Sequence, residues 1–485
     1  MTAVVSVSDF AALLPELFLV TISLCLVVFG AVGGDRIARG VCVLAILSAL
    51  LCVGLLWTGA GGTQTAFGGA FVIDPFGLFL KSLVMAGLAV SVALSVGWWT
   101  REGALRVEYP VLVLLAGTGM MLMISANSLL GMYVAIELQS LALYVLAAFR
   151  RECVRSGEAG LKYFVLGALS SGMLLFGISL VYGFSGQIGF DAIAQALALE
   201  DRFPPGVMVG VVFILAALAF KISAVPLHMW TPDVYEGAPA PVTALFALVP
   251  KVAALALLAR LLSGPFAQGV EGWSPILVFL SAASMGVGAF AAIRQENIKR
   301  LMAYSAIGNM GYALIGLVVG GPDGVSGMLV YLAIYMAMTA GAFAVILSMR
   351  RDGVAVESIS DLAGLSRTAP VRAWAMAAVM FSMAGIPPLA GFFGKFLIFN
   401  AAVAQGYYVL AVFGVLTSVV AAWYYLRIIK VMFFDSPVGA LDSERDSLRG
   451  AVLALSVAFV LGFVVLPAPL MEVARAAAED LFASG

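Results

Sequence analysis

Charge is what this sequence has least of. Only 11% of its 485 residues are Asp, Glu, Lys or Arg, against roughly 25% in soluble domains. So few charges cannot cover the surface of a water-soluble chain of this length, which excludes a multidomain soluble enzyme. Net charge is −1, so there is no basic field for nucleic acid. The four cysteines, Cys25, Cys42, Cys52 and Cys153, form no CxxC pair. A disulfide framework, a zinc site and an iron–sulfur cluster are not expected. There is one histidine, His228, which excludes haem held by paired histidines.

What the sequence has instead is apolar length. Hydrophobic residues make up 63% and mean hydropathy is +1.08. This predicts an all-α polytopic membrane protein, because hydrocarbon leaves open backbone groups without partners. Spans are expected near 11–31, 37–58, 74–97, 108–125, 127–149, 160–183, 206–229, 239–262, 274–293, 300–319, 325–349, 371–403, 406–428 and 449–466, about fourteen transmembrane helices. With Asp9 and Glu16 ahead of the first apolar run and no basic n-region, that run reads as a span rather than a cleaved signal peptide. Placing the N-terminus outside puts nineteen of the 26 basic residues on inner loops and span ends. Only Arg202, Arg260 and Arg475 then fall outside. The asymmetry predicts both termini on the outer side. Asp191–Glu200, Glu357–Leu365 and Met471–Phe482 read as interfacial helices, and Gly59–Gly62 as a turn.

Ionisable residues in mid-span are costly and mark functional sites. Glu137 stands alone near the centre of its span. Lys221, Lys251 and Lys395 lie too deep to snorkel easily. Three lysines and one obvious acid cannot all pair, and a buried lysine without a partner becomes a proton-exchanging group. The bland alternative for each is a structural ion pair. Lys81, nearer a span end, is either a snorkelling or a functional residue. Lys162 is either an inner-loop charge or part of proton uptake. His228, with an unperturbed pKa near 6.5, suits a proton shuttle or a structural role.

Two spans are expected to break, at Ser223–Pro226 and at Gly385–Gly391, because proline removes a backbone donor. Broken helices at matching places in two halves mark the ion site of transporters. The breaks lie five spans apart, which suggests two inverted five-helix units, helices 4–8 and 9–13. The domains expected are 1–105 (three helices), 106–265, 266–435, and 436–485 (last helix and amphipathic segment).

Three motifs are long and specific. Lys221-Ile-Ser-Ala-Val-Pro226-Leu-His228-Met-Trp230-Thr-Pro232-Asp233-Val-Tyr235-Glu236-Gly237-Ala-Pro239-Ala-Pro241 is the first. Arg294-Gln-Glu296-Asn297-Ile-Lys299-Arg300 followed by Tyr304-Ser305 and Gly308-Asn309 is the second. Gly385-Ile-Pro387-Pro388-Leu-Ala-Gly391-Phe-Phe-Gly394-Lys395 is the third. They resemble the signatures of the antiporter-like proton-channel family, the large membrane subunits of respiratory complex I with their Mrp-antiporter and membrane-hydrogenase relatives. The resemblance implies proton translocation driven by redox chemistry in other subunits of NADH:quinone oxidoreductase, in a bacterial inner membrane. It implies Glu137, Lys221, Lys251 and Lys395 as the path, with Lys162 and His228 auxiliary. Water and hydroxyls such as Ser223, Thr243 and Tyr304 are expected to complete the wire. No cofactor is expected in this chain. Partners implied are other membrane subunits of the complex, the antiporter-like subunit M and the small subunits beside it, together with lipid; the quinone pool is reached only through the complex. A cation/proton antiporter of Mrp type or a membrane-hydrogenase subunit is the alternative, and a scaffold held together by its charges is a third reading.

Overall fold

The computed structural model describes residues 7–58, 62–200, 203–442 and 446–483. Gly59–Ala60–Gly61, Arg202 and Arg445 lie outside them, so the turn and two of the loop charges read from the sequence do as well.

Helices dominate. In chain order they are α1 (Val7–Ala12), α2 (Leu14–Gly33), α3 (Ala38–Thr58), α4 (Pro75–Arg101), α5 (Glu108–Ile124), α6 (Leu129–Ala147) and α7 (Val154–Ser185). There follow α8 (Phe190–Ala198), α9 (Pro205–Ile222), α10 (Trp230–Gly237), α11 (Ala240–Leu248), α12 (Pro250–Ser263), α13 (Val270–Ala292) and α14 (Ile298–Val319). The remainder are α15 (Gly321–Ile346), α16 (Leu365–Thr368), α17 (Pro370–Ala384), α18 (Ala390–Ala404), α19 (Tyr408–Phe434), α20 (Ser447–Gly462) and α21 (Ala468–Ala483). Among the described residues, ten helical stretches are long and apolar enough to cross a membrane, and four shorter apolar helices accompany them. Two short antiparallel hairpins, β1 (Gln64–Ala66) with β2 (Phe71–Ile73) and β3 (Arg350–Arg351) with β4 (Val354–Ala355), join helices at their ends.

Local chemistry sets the boundaries. Asp74 accepts from Gly77 N at 2.7 Å and, with Pro75 at the first helical position, starts α4. Ser128 caps α6 and Asn297 caps α14 in the same way. Gly186, at φ 67°, ends α7, a conformation glycine adopts without steric cost.

Proline divides the helices that matter. α9 stops at Ile222, and the chain turns through Ser223–Met229 before α10. Ser223 adopts a left-handed conformation, φ 65°. α17 stops at Ala384, Gly385 is left-handed at φ 84°, and α18 begins at Ala390. The span read as continuous over 239–262 is also divided: α11 ends at Leu248 and α12 restarts at Pro250, whose ring blocks the carbonyl four residues back. The stretch Glu357–Leu365 is not one amphipathic helix. A 3-10 turn at Ile359–Leu362, started by a Ser358/Asp361 capping box, is separated from α16 by Gly364 at φ 68°.

Helices α4, α11, α12, α14 and α15 form the most deeply buried layer, while α3, α7 and α19 present one apolar face outward. Close approach is built on small residues, as expected where lipid supplies no hydrophobic drive. A Cβ on Gly288 of α13 would meet Gly308 N of α14 at 2.5 Å.

Candidate functional site: a line of buried lysines

α6 presents Glu137, Ser140 and Tyr144 at helical spacing, so all three share one face. Glu137 is half-buried and accepts a hydrogen bond from Ser171 Oγ of α7. Lys221, in the last turn of α9, donates from Nζ to Ser140 Oγ at 2.7 Å and lies 5.8 Å from the Tyr144 ring centre. Glu137 and Lys221 thus meet on neighbouring turns of α6 and interact across the gap, but no ion pair joins them. Each ends on a serine instead.

Lys251 opens α12 and is 1% exposed. Its Nζ makes no hydrogen bond and stands 5.1 Å from the ring centre of Tyr235, whose hydroxyl is also buried and unbonded. Lys395, on α18, is held by the end of α17: Nζ donates to Met383 O at 2.9 Å, to Ala384 O at 3.4 Å and to Ser418 Oγ at 2.8 Å. Those carbonyls are the unpaired ends that a helix break creates, and the negative end of the α17 dipole favours a cation there. A cavity of about 560 Å³ lined by Gly385, Phe396, Asn400 and Ser418 reaches the same lysine.

The breaks are tied to their surroundings by side chains. Val225 N donates to Ser284 Oγ of α13 at 2.9 Å, and Gly391 N to Ser382 Oγ at 2.9 Å. His228 is half-buried at the first break, and its Nδ1 makes no hydrogen bond. Lys162 lies away from the axis in a surface network. It pairs with Glu158 at 2.7 Å and Asp233 at 2.9 Å, while Arg300 joins Asp233 to Glu236.

Of the hydroxyls named from sequence, Thr243 is engaged by Tyr235 O at 2.9 Å, and Ser223 Oγ is buried without a partner. Tyr304 is absent from the buried polar network beside Lys395; its neighbour Ser305 is present. Tyr331 OH donates to Asn309 Oδ1 at 2.8 Å, Asn309 Nδ2 to Ser305 Oγ at 3.3 Å, and Ser305 Oγ meets Tyr425 OH at 2.6 Å. Separately, the Tyr312 ring centre lies 5.0 Å from Lys395 Nζ, and its hydroxyl meets Thr417 Oγ1 at 3.4 Å. Mid-span polar residues at Asn309, Tyr331 and Tyr425 were the available signal.

Other charges sit deeper than the sequence reading placed them. Lys81 does not snorkel. It pairs with Glu16 of α2 at 2.5 Å, the two side chains 4% and 2% exposed. Arg260, expected at the outer end of its span, is buried, bonded through both terminal nitrogens to Asp74 at 2.8 and 3.0 Å and through Nε to Ile124 O. Lys299 is likewise buried, on Ala238 O at 3.0 Å and Glu357 at 2.6 Å. Each found an acid that the one-dimensional pattern could not pair. Among the described residues no group of His, Cys, Asp and Glu could hold a metal ion.

Comparison with known proteins gives consistent matches. The family described as NADH:quinone oxidoreductase/Mrp antiporter, transmembrane, matches residues 126–421. NADH-quinone oxidoreductase subunit N 1 of Rhizobium meliloti (strain 1021) is 54% identical, covering 99% of this chain and 100% of its own. A chain of respiratory complex I from Thermus thermophilus with bound aureothin superposes with TM-score 0.81 at 33% identity, over 94% of this chain and 98% of that one. A chain of the Mrp complex from Dietzia sp. DQ12-45-1b gives TM-score 0.84 at 25% identity, over 98% of each.

Proposed function

We propose, for a chain that belongs to the antiporter-like membrane family of NADH:quinone oxidoreductase and Mrp antiporters and within it to the subunit N branch, that the buried lysines are its proton path. The chain is a membrane subunit of NADH-quinone oxidoreductase, a translocase, and works in a multi-subunit complex. Electron transfer in other subunits supplies the energy, and the reading assigns no cofactor to this chain. The observation that carries it is the state of Lys221, Lys251 and Lys395. They are 7%, 1% and 6% exposed, and they face hydroxyls, a ring or carbonyls rather than a carboxylate. A charge so buried costs several kcal/mol, which is tolerable for a group that gives up its proton during the cycle.

In this reading Glu137 biases Lys221 across Ser140, and a change in the Glu137 field sends the Lys221 proton toward Lys251. Lys395 receives the charge through the Asn309–Ser305–Tyr425 network and releases it outward. His228 sits at the break as a shuttle, and Lys162 with Asp233 gathers protons at the inner surface. Each proton moved against 100 mV costs about 2.3 kcal/mol, so the path is gated by these local rearrangements.

The fine architecture belongs to the same proposal. Fourteen transmembrane helices divide into a three-helix segment over 1–105, a five-helix unit over 106–265, an inverted five-helix unit over 266–435 and a last helix with an amphipathic tail over 436–485. The broken helices α9–α10 and α17–α18, each beside its lysine, support the pairing of units. The basic-residue bias supports both termini on the periplasmic side of a bacterial inner membrane. Subunit M and the adjacent small subunits are the partners, and quinone is reached only through them.

Mrp-type antiport shares the fold, and identity above 50% to subunit N chains favours the oxidoreductase. The test is Lys395→Ala in the intact complex reconstituted into proteoliposomes. Quinone-linked pumping should fall while the subunit stays inserted; normal pumping with normal assembly would refute the path.

A further inference from the structure

The line of lysines leaves one stretch uncovered. Lys251 Nζ ends on the ring of Tyr235, whereas Lys395, Asn309, Ser305 and Tyr425 line one small cavity together. Nothing named so far joins Tyr235 to that cavity. α15 touches both ends: it contacts α12, which carries Lys251, and also α14 and α18, which carry Asn309 and Lys395.

From Leu329 to Ala340, α15 is apolar except at Tyr331, Tyr335 and Thr339. A spacing of four puts all three on one face, over about 12 Å of helix at 1.5 Å per residue. They are 0%, 2% and 0% exposed. Tyr331 OH donates to Asn309 Oδ1 at 2.8 Å, so this face ends in the polar network. Tyr335, one turn away, lies within electrostatic reach of Tyr235 on one side and of Tyr331 and Tyr425 on the other. Packing alone would be served by phenylalanine, which buries no hydroxyl. Among the described residues, Lys251 Nζ, the Tyr235 hydroxyl and Thr339 Oγ1 are buried without a hydrogen bond. Polar groups left so are costly and call for a reason; water ordered among several of them is one.

We propose, on the basis of the lysine path above, that Tyr335, with Tyr331 and Thr339 on the same face of α15, relays the proton from Lys251 to the Asn309–Ser305–Tyr425 network. The Lys251 ammonium gives a proton to the Tyr235 oxygen as Tyr235 passes its own hydrogen to the Tyr335 oxygen. Tyr335 then passes its hydrogen toward Tyr331 and Asn309, with water between oxygens that do not touch. Each phenol ends neutral and is reset when its hydroxyl turns back. A phenol ordinarily holds its proton to about pH 10, so these groups hand a proton on without storing a charge, and only the lysines at either end hold one.

The test is protons pumped per electron in the reconstituted complex, with subunit content verified. Tyr335→Phe removes one oxygen and keeps the ring, so assembly should match wild type. The ratio should fall about as far as in Lys251→Leu, and the double variant should fall no further than the worse single one, because the two act in series. A second readout replaces Tyr335 with 3,5-difluorotyrosine, which keeps ring and hydroxyl but is the stronger acid. The pH profile of pumping should shift, and the same replacement at Tyr109, in an aromatic cluster with Trp99 and Phe149, should leave it unmoved. A wild-type ratio in assembled Tyr335→Phe beside a lowered one in Lys251→Leu would overturn the relay and leave the lysine path standing. A wild-type ratio in both would remove the path and the relay together. Additive losses in the double variant, or a pH profile that does not move with fluorination at Tyr335, would also overturn the relay.

Discussion

Lys395 reaches across a helix break to Met383, donating from Nζ to its carbonyl oxygen at 2.9 Å. The contact satisfies a backbone group that the break exposes and also holds a buried cation at the same point. Both jobs need only a donor; relaying a proton needs a donor that can also lose it.

Lys395→Arg separates them. Arginine keeps a donor toward Met383 and Ala384 but stays charged in proteins. Assembly should be retained while pumping in proteoliposomes falls by about tenfold or more, because a group locked in its charged form cannot relay. Retained pumping would make the lysine structural.

Among the described residues, Ser140 is the only hydrogen-bond partner of Lys221 Nζ. Ser140→Ala leaves that donor buried and unpaired, at a cost of about 1–3 kcal/mol. Because Glu137 lies one turn away on α6, Ser140→Ala and Glu137→Gln should be non-additive by more than about 0.5 kcal/mol in a double-mutant cycle on pumping rate. Strict additivity would separate the two residues.

The Glu16–Lys81 pair lies outside the axis, between α2 and α4. Glu16→Gln should destabilise the subunit by about 3–5 kcal/mol by stranding a buried ammonium, and Glu16→Leu with Lys81→Met should recover most of it. Thermal denaturation of the complex reads this directly. Protons pumped per electron should stay constant in the surviving complex, whereas a drop would bring the pair into the path.

Gly288 faces Gly308 where α13 crosses α14, with 2.5 Å available to an added Cβ. Gly288→Val should lower assembly through overpacking of about 1–3 kcal/mol. Gly286→Ala, whose Cβ would lie 3.5 Å from Phe413, should be neutral on a blue-native gel.

Much of this was legible in one dimension. Apolar length marks the apolar helical stretches, and Pro226 and Pro387–Pro388 announce the two breaks. Lys221, Lys251 and Lys395 stand out because each interrupts an apolar run. Pairing was not legible. Arg260 reads as an outer-side charge at a span end until Asp74, at the start of a distant helix, meets it, and Glu16 reads as an N-terminal acid until Lys81 does. The Asn309–Ser305–Tyr425 network was missed for the same reason: hydrogen bonds between helices depend on rotation about their axes, which hydropathy does not encode. Pro250 was seen, but its effect as a break between α11 and α12 was not, because apolar residues flank it on both sides.

The account rests on protons crossing the middle of the line, and Lys251 is the place to measure it, since its Nζ has no hydrogen bond to lose. The measurement is protons pumped per electron by Lys251→Leu in the reconstituted complex, with subunit content verified. Replacing an ammonium that makes no hydrogen bond should leave assembly intact, and the account predicts a lower ratio than wild type. An unchanged ratio in fully assembled complex would contradict it.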